Sequence, residues 1–348
     1  MCRFLIHGRP QFFLYDLLIY VFMQHTAFTI GIDIGGTNTN WGIVNREGEI
    51  LHTGHLPTST AKNPTAFFEA LHHQMESALR QYNHSDIQGI GIGAPQTNFH
   101  TGLMMNAANM PWKGFVPIRE IAETVFHLPV QVTNDANAAA MGEMIYGAAK
   151  GMRDFIVVTL GTGLGSGIVS NGQLLYGHHG MAGELGHTIV MKDGRTCGCG
   201  RKGCLETYVS ATGIVRTALE LLEKESEADD TALKPESLRN MYRGNKNIQA
   251  HQIYEAAQSG DPLALRVFRN TGDILGLALA NAVAVTEPEA IILFGGLAKA
   301  GALLFEPTAE ALEANLLDCY RNQVKLLPSG LREREASILG SAALGWRA

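Results

Sequence analysis

The chain has 348 residues, 27 Lys+Arg against 33 Asp+Glu for a formal net charge of −6, 39 glycines, 12 prolines and 5 cysteines. That length gives ample interior for two ordinary domains or one large one, and a charged fraction of 17% excludes wholesale disorder. The mild acidity, with a pI near 6.1, offers no footprint for nucleic acid or an anionic membrane, and an odd cysteine count in so long a chain is not a disulfide scaffold.

The run from Gln11 to Phe22 (QFFLYDLLIYVF) is apolar and follows Arg3 and Arg9, so it admits two readings. As a secretory or anchoring segment it is too short to span a bilayer, is interrupted by Asp16, and has no small-residue cleavage site after it. The other reading is a non-essential extension over residues 1–27, with the working chain starting near Met23. From Phe28 onward strands and helices alternate, as in an α/β protein. A buried strand is expected over Phe28–Ile34, the turn GGTNTN leads to a second at Trp41–Val44, and NREG leads to a third at Ile50–Pro57, an antiparallel meander. Apolar residues at helical spacing mark Pro64–Tyr82, and a strand follows at Ile87–Gly93. A short helix is expected over Ile118–Phe126, a strand over Pro129–Thr133 and an alanine-rich helix over Ala136–Tyr146.

The opening plan then recurs. Phe155–Leu160 reads as a strand, GTGLG as a glycine turn, Gly167-Ile168-Val169 as a second strand, Asn171-Gly172 as a hairpin turn and Gln173–Tyr176 as a third strand. Gly42-Ile43-Val44 and Gly167-Ile168-Val169 occupy matching places, which implies two halves built on one plan. The second half continues with a helix over Gly213–Lys224, a charged connector at 225–240 (ESEADDTALKPESLRN) expected to be a solvated surface segment, a long helix over Pro262–Val285, a strand over Ala290–Phe294 and a tail helix over Ser337–Trp346. The domains expected are 28–132, joined by a carboxyl-terminal helix over 334–348, and 133–333.

Three glycine turns are candidates for nucleotide contact. Asp33-Ile34-Gly35-Gly36-Thr37 lies where the first strand turns into the second, where backbone without side chains can approach an anion and Thr37 adds a hydroxyl. A carboxylate there repels bare phosphate, so Asp33 suits Mg²⁺ held through water. The alternative is a tight hairpin in which Asp33 makes a local hydrogen bond. Gly161-Thr162-Gly163-Leu164-Gly165 is the equivalent turn of the second half, and the two would clamp a polyphosphate if the halves close on a cleft. Gly295-Gly296, after the last strand, would let adenine lie against backbone. No GxxxxGK[ST] occurs, so this is not a Walker-type site. Phosphate handling by hairpins in two duplicated halves is the arrangement of the actin, hexokinase and sugar-kinase superfamily.

Asn134-Asp135-Ala136-Asn137 sits between a strand's carboxyl end and a helix start. Its polar residues suit helix capping, and equally a carboxylate accepting a proton from an attacking hydroxyl while an asparagine orients a neighbour. His187, Cys197, Cys199 and Cys204 supply the four ligands tetrahedral Zn²⁺ prefers, the alternatives being a reduced thiol cluster or a redox pair. Cys2 and Cys319 then remain as unpaired thiols. Glu184 and Glu206 flank this set, so a structural zinc would fix two carboxylates and an imidazole together, a constellation suited to adjacent sugar hydroxyls.

DIGGTNTNWGIV, GIGIGAP, NAANMPW, VTNDANAAAMGE, LGTGLGSGIV, AGELGH, CGCGRKGCLETYVSATGIV and ILFGGLA resemble, in order, the motifs of the ROK family of bacterial sugar kinases and regulators. The resemblance runs from about Phe28 to the carboxyl terminus. It implies a duplicated actin/hexokinase-like (ribonuclease H-like) α/β fold with an interdomain cleft, and an ATP-dependent hexokinase using ATP, Mg²⁺ and a structural Zn²⁺. By family pattern Asp135 is the catalytic base toward the sugar 6-hydroxyl. Asn109, Asn134, Glu184, His187 and Glu206 hold the sugar, His187, Cys197, Cys199 and Cys204 hold zinc, and Asp33 to Thr37 and Gly161 to Gly163 face the phosphates. LETYVSATGIVRTA is most similar to the glucokinase branch, which implies glucose; fructose, mannose, allose or an N-acetylhexosamine is the alternative.

Two departures stand out. Asn38 and Asn40 replace a lysine common after the first glycine turn, and Ala94-Pro95-Gln96 stands where many members have glycine after the proline. The family's transcriptional regulators carry a winged helix-turn-helix, which needs about 60 residues, whereas Asp33 is preceded by 32. A small-molecule enzyme without nucleic-acid or membrane partners, cytoplasmic and forming a homodimer or homotetramer, is therefore the expectation.

Overall fold

The computed structural model describes residues 27–107, 110–224, 237–244 and 247–346. The amino-terminal extension, Cys2, Asn109 and most of the charged connector lie outside the described residues. The chain divides into two compact units, one of residues up to Thr133 together with Ser337 onward, the other Asn134–Ala336.

The first unit is built on a five-stranded sheet. Strands β1 (Phe28–Ile34), β2 (Asn38–Asn45) and β3 (Ile50–Pro57) form the antiparallel meander, and β4 (Ile87–Gly93) lies parallel on the other side of β1. A two-stranded ribbon, β5 (Met104–Met105) with β6 (Phe115–Val116), stands apart, and β7 (Val130–Thr133) closes the sheet order β3-β2-β1-β4-β7. Helix α1 (Pro64–Leu79) starts on Asn63, whose side chain accepts from the Thr65 N–H, with proline at the first position, where its missing N–H costs nothing. Its apolar face, Phe67, Phe68, Leu71 and Met75, is fully buried, and α2 (Ile118–Phe126) adds Ile118 and Ala122 to the same core. The carboxyl-terminal helix (Glu333–Gly345) lies on the sheet, and the glycines of β1 and β4 make that approach possible. A Cβ on Gly31 would stand 2.2 Å from the Ile338 carbonyl, and one on Gly91 would stand 1.8 Å from that of Ser341.

The second unit repeats the plan after α3 (Asp135–Ile145). Strands β8 (Phe155–Leu160), β9 (Leu164–Ser170) and β10 (Gln173–Leu174) form the meander, and β11 (Ala290–Phe294) and β12 (Lys325–Pro328) add in parallel to give β10-β9-β8-β11-β12. The sheet orders match strand for strand, so the internal repeat read from the sequence is present in the fold. Helices α4 (Ala211–Lys224), α5 (Leu238–Gly244), α6 (Ala250–Gln258), α7 (Pro262–Thr286) and α8 (Ala302–Asn315) complete the unit. Helices α7 and α8 touch closely at Gly272 and Gly276, where added Cβ atoms would fall 2.7 Å from Pro307 and 2.6 Å from Ala311.

The structure differs from the expected elements at several edges and in a few whole elements. The end of the charged connector is not solvated: Ser237 and Leu238 are buried, and Leu238 opens α5. The third strand of the second meander stops at Leu174, two residues before Tyr176, and the tail helix begins at Glu333 rather than Ser337. Helices α6 and α8, strand β12 and the β5–β6 ribbon were not anticipated. Among the described residues no helix is long and apolar enough to cross a membrane.

Candidate functional site

In the first unit the β1–β2 turn carries Asp33 and the glycines. Gly35 donates its N–H to the Asn38 carbonyl at 3.0 Å, and a Cβ there would lie 2.9 Å from that oxygen. The Thr58 hydroxyl holds the Gly35 carbonyl at 2.6 Å and the Thr58 N–H donates to the Thr37 carbonyl at 2.9 Å, so the turn is braced from behind while Thr37 is exposed. Asp33 lies opposite Asn40 in the ladder. Asn40, one of the two asparagines that follow the glycine turn, is thus the cross-strand neighbour of Asp33.

In the second unit Asn134 and Asp135 form the start of α3. The Asn134 side-chain oxygen Oδ1 accepts from the Asn137 N–H at 2.8 Å, so this residue is a helix cap, as its type allows. Asp135 is exposed, and its Oδ1 accepts from the Ala136 N–H at 2.9 Å. The carboxylate thus stands in the first turn of α3, at the amino end of the helix. Helix α3 packs on β9 through glycine: Cβ atoms on Gly165 and Gly167 would come within 2.9 Å and 2.6 Å of Ala136 and Ala140. These two glycines fix the height of the Asp135 helix over the sheet.

The β8–β9 turn is open on its outer side. Gly161 donates to the Gly163 carbonyl at 3.1 Å, nothing lies within 4 Å of a Cβ on Gly161, and Thr162 is exposed. Behind it the start of α4 is tied on: the Ala211 N–H donates to the Gly161 carbonyl at 2.8 Å and the Thr212 hydroxyl to the Thr162 carbonyl at 2.9 Å. Gly295, by contrast, has a structural need for glycine. Its φ is +104° and a Cβ would sit 2.6 Å from the Leu160 carbonyl, while Gly296 faces open space.

The third group gathers round the cysteines. Glu184 Oε2 lies 3.9 Å from His187 Nε2, and Glu206 Oε1 lies 3.6 Å from His187 Nδ1. Nδ1 also faces Cys197 Sγ at 3.7 Å, which leaves Nε2 on the Glu184 side. Ser166 is a residue the sequence reading missed. Its hydroxyl donates to the Gly183 carbonyl and accepts from the Leu185 N–H, pinning the backbone on both sides of Glu184. A serine inside a glycine-rich strand gives no pattern by which to find it.

One donor atom from each of His187, Cys197, Cys199 and Cys204 lies within 4.8 Å of the others, and the Cys199 and Cys204 sulfurs are 3.6 Å apart. A tetrahedral ion with Zn–S bonds of about 2.3 Å needs sulfurs about 3.8 Å apart, so the donor set fits in both type and spacing. Without an ion the thiols differ sharply. Burial pushes Cys197 up to about 12 and holds Cys204 above the ordinary range, whereas hydrogen bonds from Arg201 bring exposed Cys199 down to about 6.

The model of the ROK family matches residues 29–347. A glucokinase of Halalkalibacterium halodurans is 37% identical over 292 residues, 83% of this chain and 86% of that protein. A xylose repressor of Caldicellulosiruptor bescii is 28% identical over 90% of this chain and 77% of its own length. Among solved structures, a ROK glucokinase from Streptomyces griseus in complex with glucose and AMPPNP is 34% identical with a TM-score of 0.74, over 92% of this chain and all of that one. The match over residues 29–347 spans the cysteine loop, both glycine turns and the duplicated sheet of this chain, and the chain belongs to the ROK family.

Proposed function

We propose that this protein transfers the terminal phosphoryl group of ATP to the 6-hydroxyl of glucose. The observation that carries the reading is the convergence of Glu184, His187 and Glu206 on the cysteine cluster, in the same unit as Asp135 and the Gly161–Gly163 turn. Two carboxylates and an imidazole held in fixed directions are acceptors for neighbouring hydroxyls of a polyol. The glucokinase from H. halodurans and the S. griseus structure with glucose and AMPPNP support the same substrates.

In this reading Asp135 takes the proton of the attacking hydroxyl, and Asn134 and Asn109 join the acidic pair and His187 in orienting the sugar. The turns Gly35-Gly36-Thr37 and Gly161-Thr162-Gly163, with the two threonine hydroxyls, face the phosphates, and Gly295 and Gly296 the adenine. Asp33 suits the Mg²⁺ that accompanies the nucleotide, which neutralises charge on the transferring group. Zinc on His187, Cys197, Cys199 and Cys204 would hold His187 and Glu206 in place rather than act on the substrate. Phosphoryl transfer draws mainly on positioning and charge neutralisation, so a rigid sugar site matters more than a strong base. The thiols fit a reducing, cytoplasmic setting, and assembly into a homodimer or homotetramer belongs to the same reading.

A coupled ADP-release assay over hexoses and N-acetylhexosamines with ATP and Mg²⁺ tests it. Glucose should give the highest kcat/KM. A higher value for another sugar replaces glucose in the reading, and no release with any sugar overturns the kinase in favour of a sugar-responsive regulator.

A further inference from the structure

Arg195 lies two residues before the first cysteine of the loop, and its side chain is only 10% exposed. Every N–H of its guanidinium is used. Nε and Nη2 hold the two oxygens of Glu220 at 2.7 and 2.8 Å, Nη2 also reaches the Thr217 hydroxyl at 3.0 Å, and Nη1 donates to the carbonyls of Thr207 at 2.7 Å and Gly213 at 3.1 Å. The guanidinium carbon lies 4.4 Å from the centre of the Tyr208 ring, and the Arg195 backbone N–H donates to the Tyr208 hydroxyl at 2.9 Å.

These partners belong to two segments with different tasks. Thr207 and Tyr208 directly follow Glu206, whose carboxylate faces His187. Gly213, Thr217 and Glu220 lie on α4, whose first residues hold the carbonyls of Gly161 and Thr162. The segments also meet through Ser210, which donates to the Glu206 carbonyl at 2.7 Å and accepts from the Gly213 N–H at 2.9 Å. A planar fork with five donors can hold two backbone segments in one fixed relation, which a lysine ammonium with three freely rotating donors cannot.

We propose that Arg195 is a positioning residue that locks the Glu206 segment and the Gly161–Thr162 turn into one rigid body, so that sugar and nucleotide affinity depend on it together. The consequence for affinity rests on the functional reading above; the lock itself does not. Arg195 touches neither the Glu206 carboxylate nor the Gly161–Thr162 turn directly, and acts through Thr207 and through α4.

The test compares the full-length wild type with Arg195→Lys and Arg195→Met. Hydrogen exchange of peptides covering 160–166 and 203–210 needs no substrate and should speed up in both segments of both variants. Steady-state kinetics should then show the KM for glucose and the KM for ATP each rising about tenfold, with Lys no better than Met. Glu220→Gln, which keeps the Thr207 and Gly213 bonds, should shift each KM by less than about threefold. Faster exchange in one segment alone, or in neither, overturns the lock. Faster exchange in both with unchanged KM values overturns the positioning role, as does full rescue by lysine. A wild type inactive on every sugar defeats the functional reading but leaves the exchange comparison to decide the lock.

Discussion

A Cβ on Gly163 would stand 2.8 Å from Oε2 of Glu206, so the glycine turn of β8–β9 and the carboxylate beside the cysteine loop are in direct contact. The atom in the way is the far end of a flexible side chain rather than backbone. Gly163→Ala should therefore fold normally while displacing Glu206 from the direction it points in now. We expect thermal unfolding within a few degrees of wild type and a fall of roughly tenfold in kcat/KM for glucose. Kinetics set beside a melting curve check this; a variant that keeps full activity shows that the position of the Glu206 carboxylate does not matter.

Asp135→Asn keeps an oxygen in place to accept from the Ala136 N–H, so the start of α3 should survive the change. In the proposed reaction what is lost is the ability to accept the proton of the sugar hydroxyl. Turnover should fall by about 10²–10⁴, while glucose affinity, measured by calorimetry, stays within a few-fold. Retention of near-normal turnover would remove Asp135 from the role of base.

How much of this was legible in the sequence differs by type of feature. Phe28–Ile34, Ile87–Gly93, Phe155–Leu160 and Ala290–Phe294 match the expected strands end to end, because buried central strands are apolar on both faces and stop at glycine or polar residues. Helices α6 and α8 escaped because one is short and alanine-rich and the other carries Pro307 within it, which breaks the pattern a reader looks for. The four candidate metal donors were readable from spacing alone, since His187 and the three cysteines are close in sequence as well as in space. Ser166 and Arg195 were not. Their roles depend on partners brought in from other elements by the fold, and neither residue type carries a signal of its own.

The three cysteines give a chemical prediction for metal-free protein. Cys199, held near 6, is a thiolate at neutral pH, whereas Cys197, pushed up to about 12 by burial, is protonated. Because the Cys199 value is depressed from 9.0, its contribution to metal-free stability is present at alkaline pH and lost as pH falls through about 6. After chelation, iodoacetamide at pH 7 should alkylate Cys199 first and Cys197 last, and lowering the pH to 5 should slow the Cys199 reaction sharply. Zinc should protect all three and release protons as it binds, so its affinity should weaken with falling pH. Peptide mass spectrometry reads the order of labelling; equal rates at Cys199 and Cys197 would contradict the contrast between them. Glucose affinity should fall with the metal, because His187 and Glu206 lose their anchor.

Glu143 is a fully buried carboxylate at the far end of the helix that Asp135 begins. Its Oε2 accepts from the Ala148 N–H at 2.7 Å and the Gly330 N–H at 3.2 Å, and Oε1 accepts from the Ser329 hydroxyl. These bonds tie α3 to the segment that leads into the carboxyl-terminal helix, and Gly147 leaves room for the carboxylate, from which a Cβ there would fall 2.1 Å. Removing the acceptor leaves the Ala148, Gly330 and Ser329 donors without their partner and opens a cavity where the fully buried side chain stood. Glu143→Ala should cost about 2–4 kcal/mol in urea unfolding, from the orphaned donors together with the cavity. Glu143→Gln keeps one carbonyl oxygen and offers an amide where a second acceptor is needed, so it should lose a smaller part of that stability. Because the damage lies at the opposite end of α3 from Asp135, both variants should keep their KM for glucose while the folded fraction is high. A large rise in KM in the glutamine variant, at temperatures where it is fully folded, would mean that this end of the helix also sets the position of Asp135.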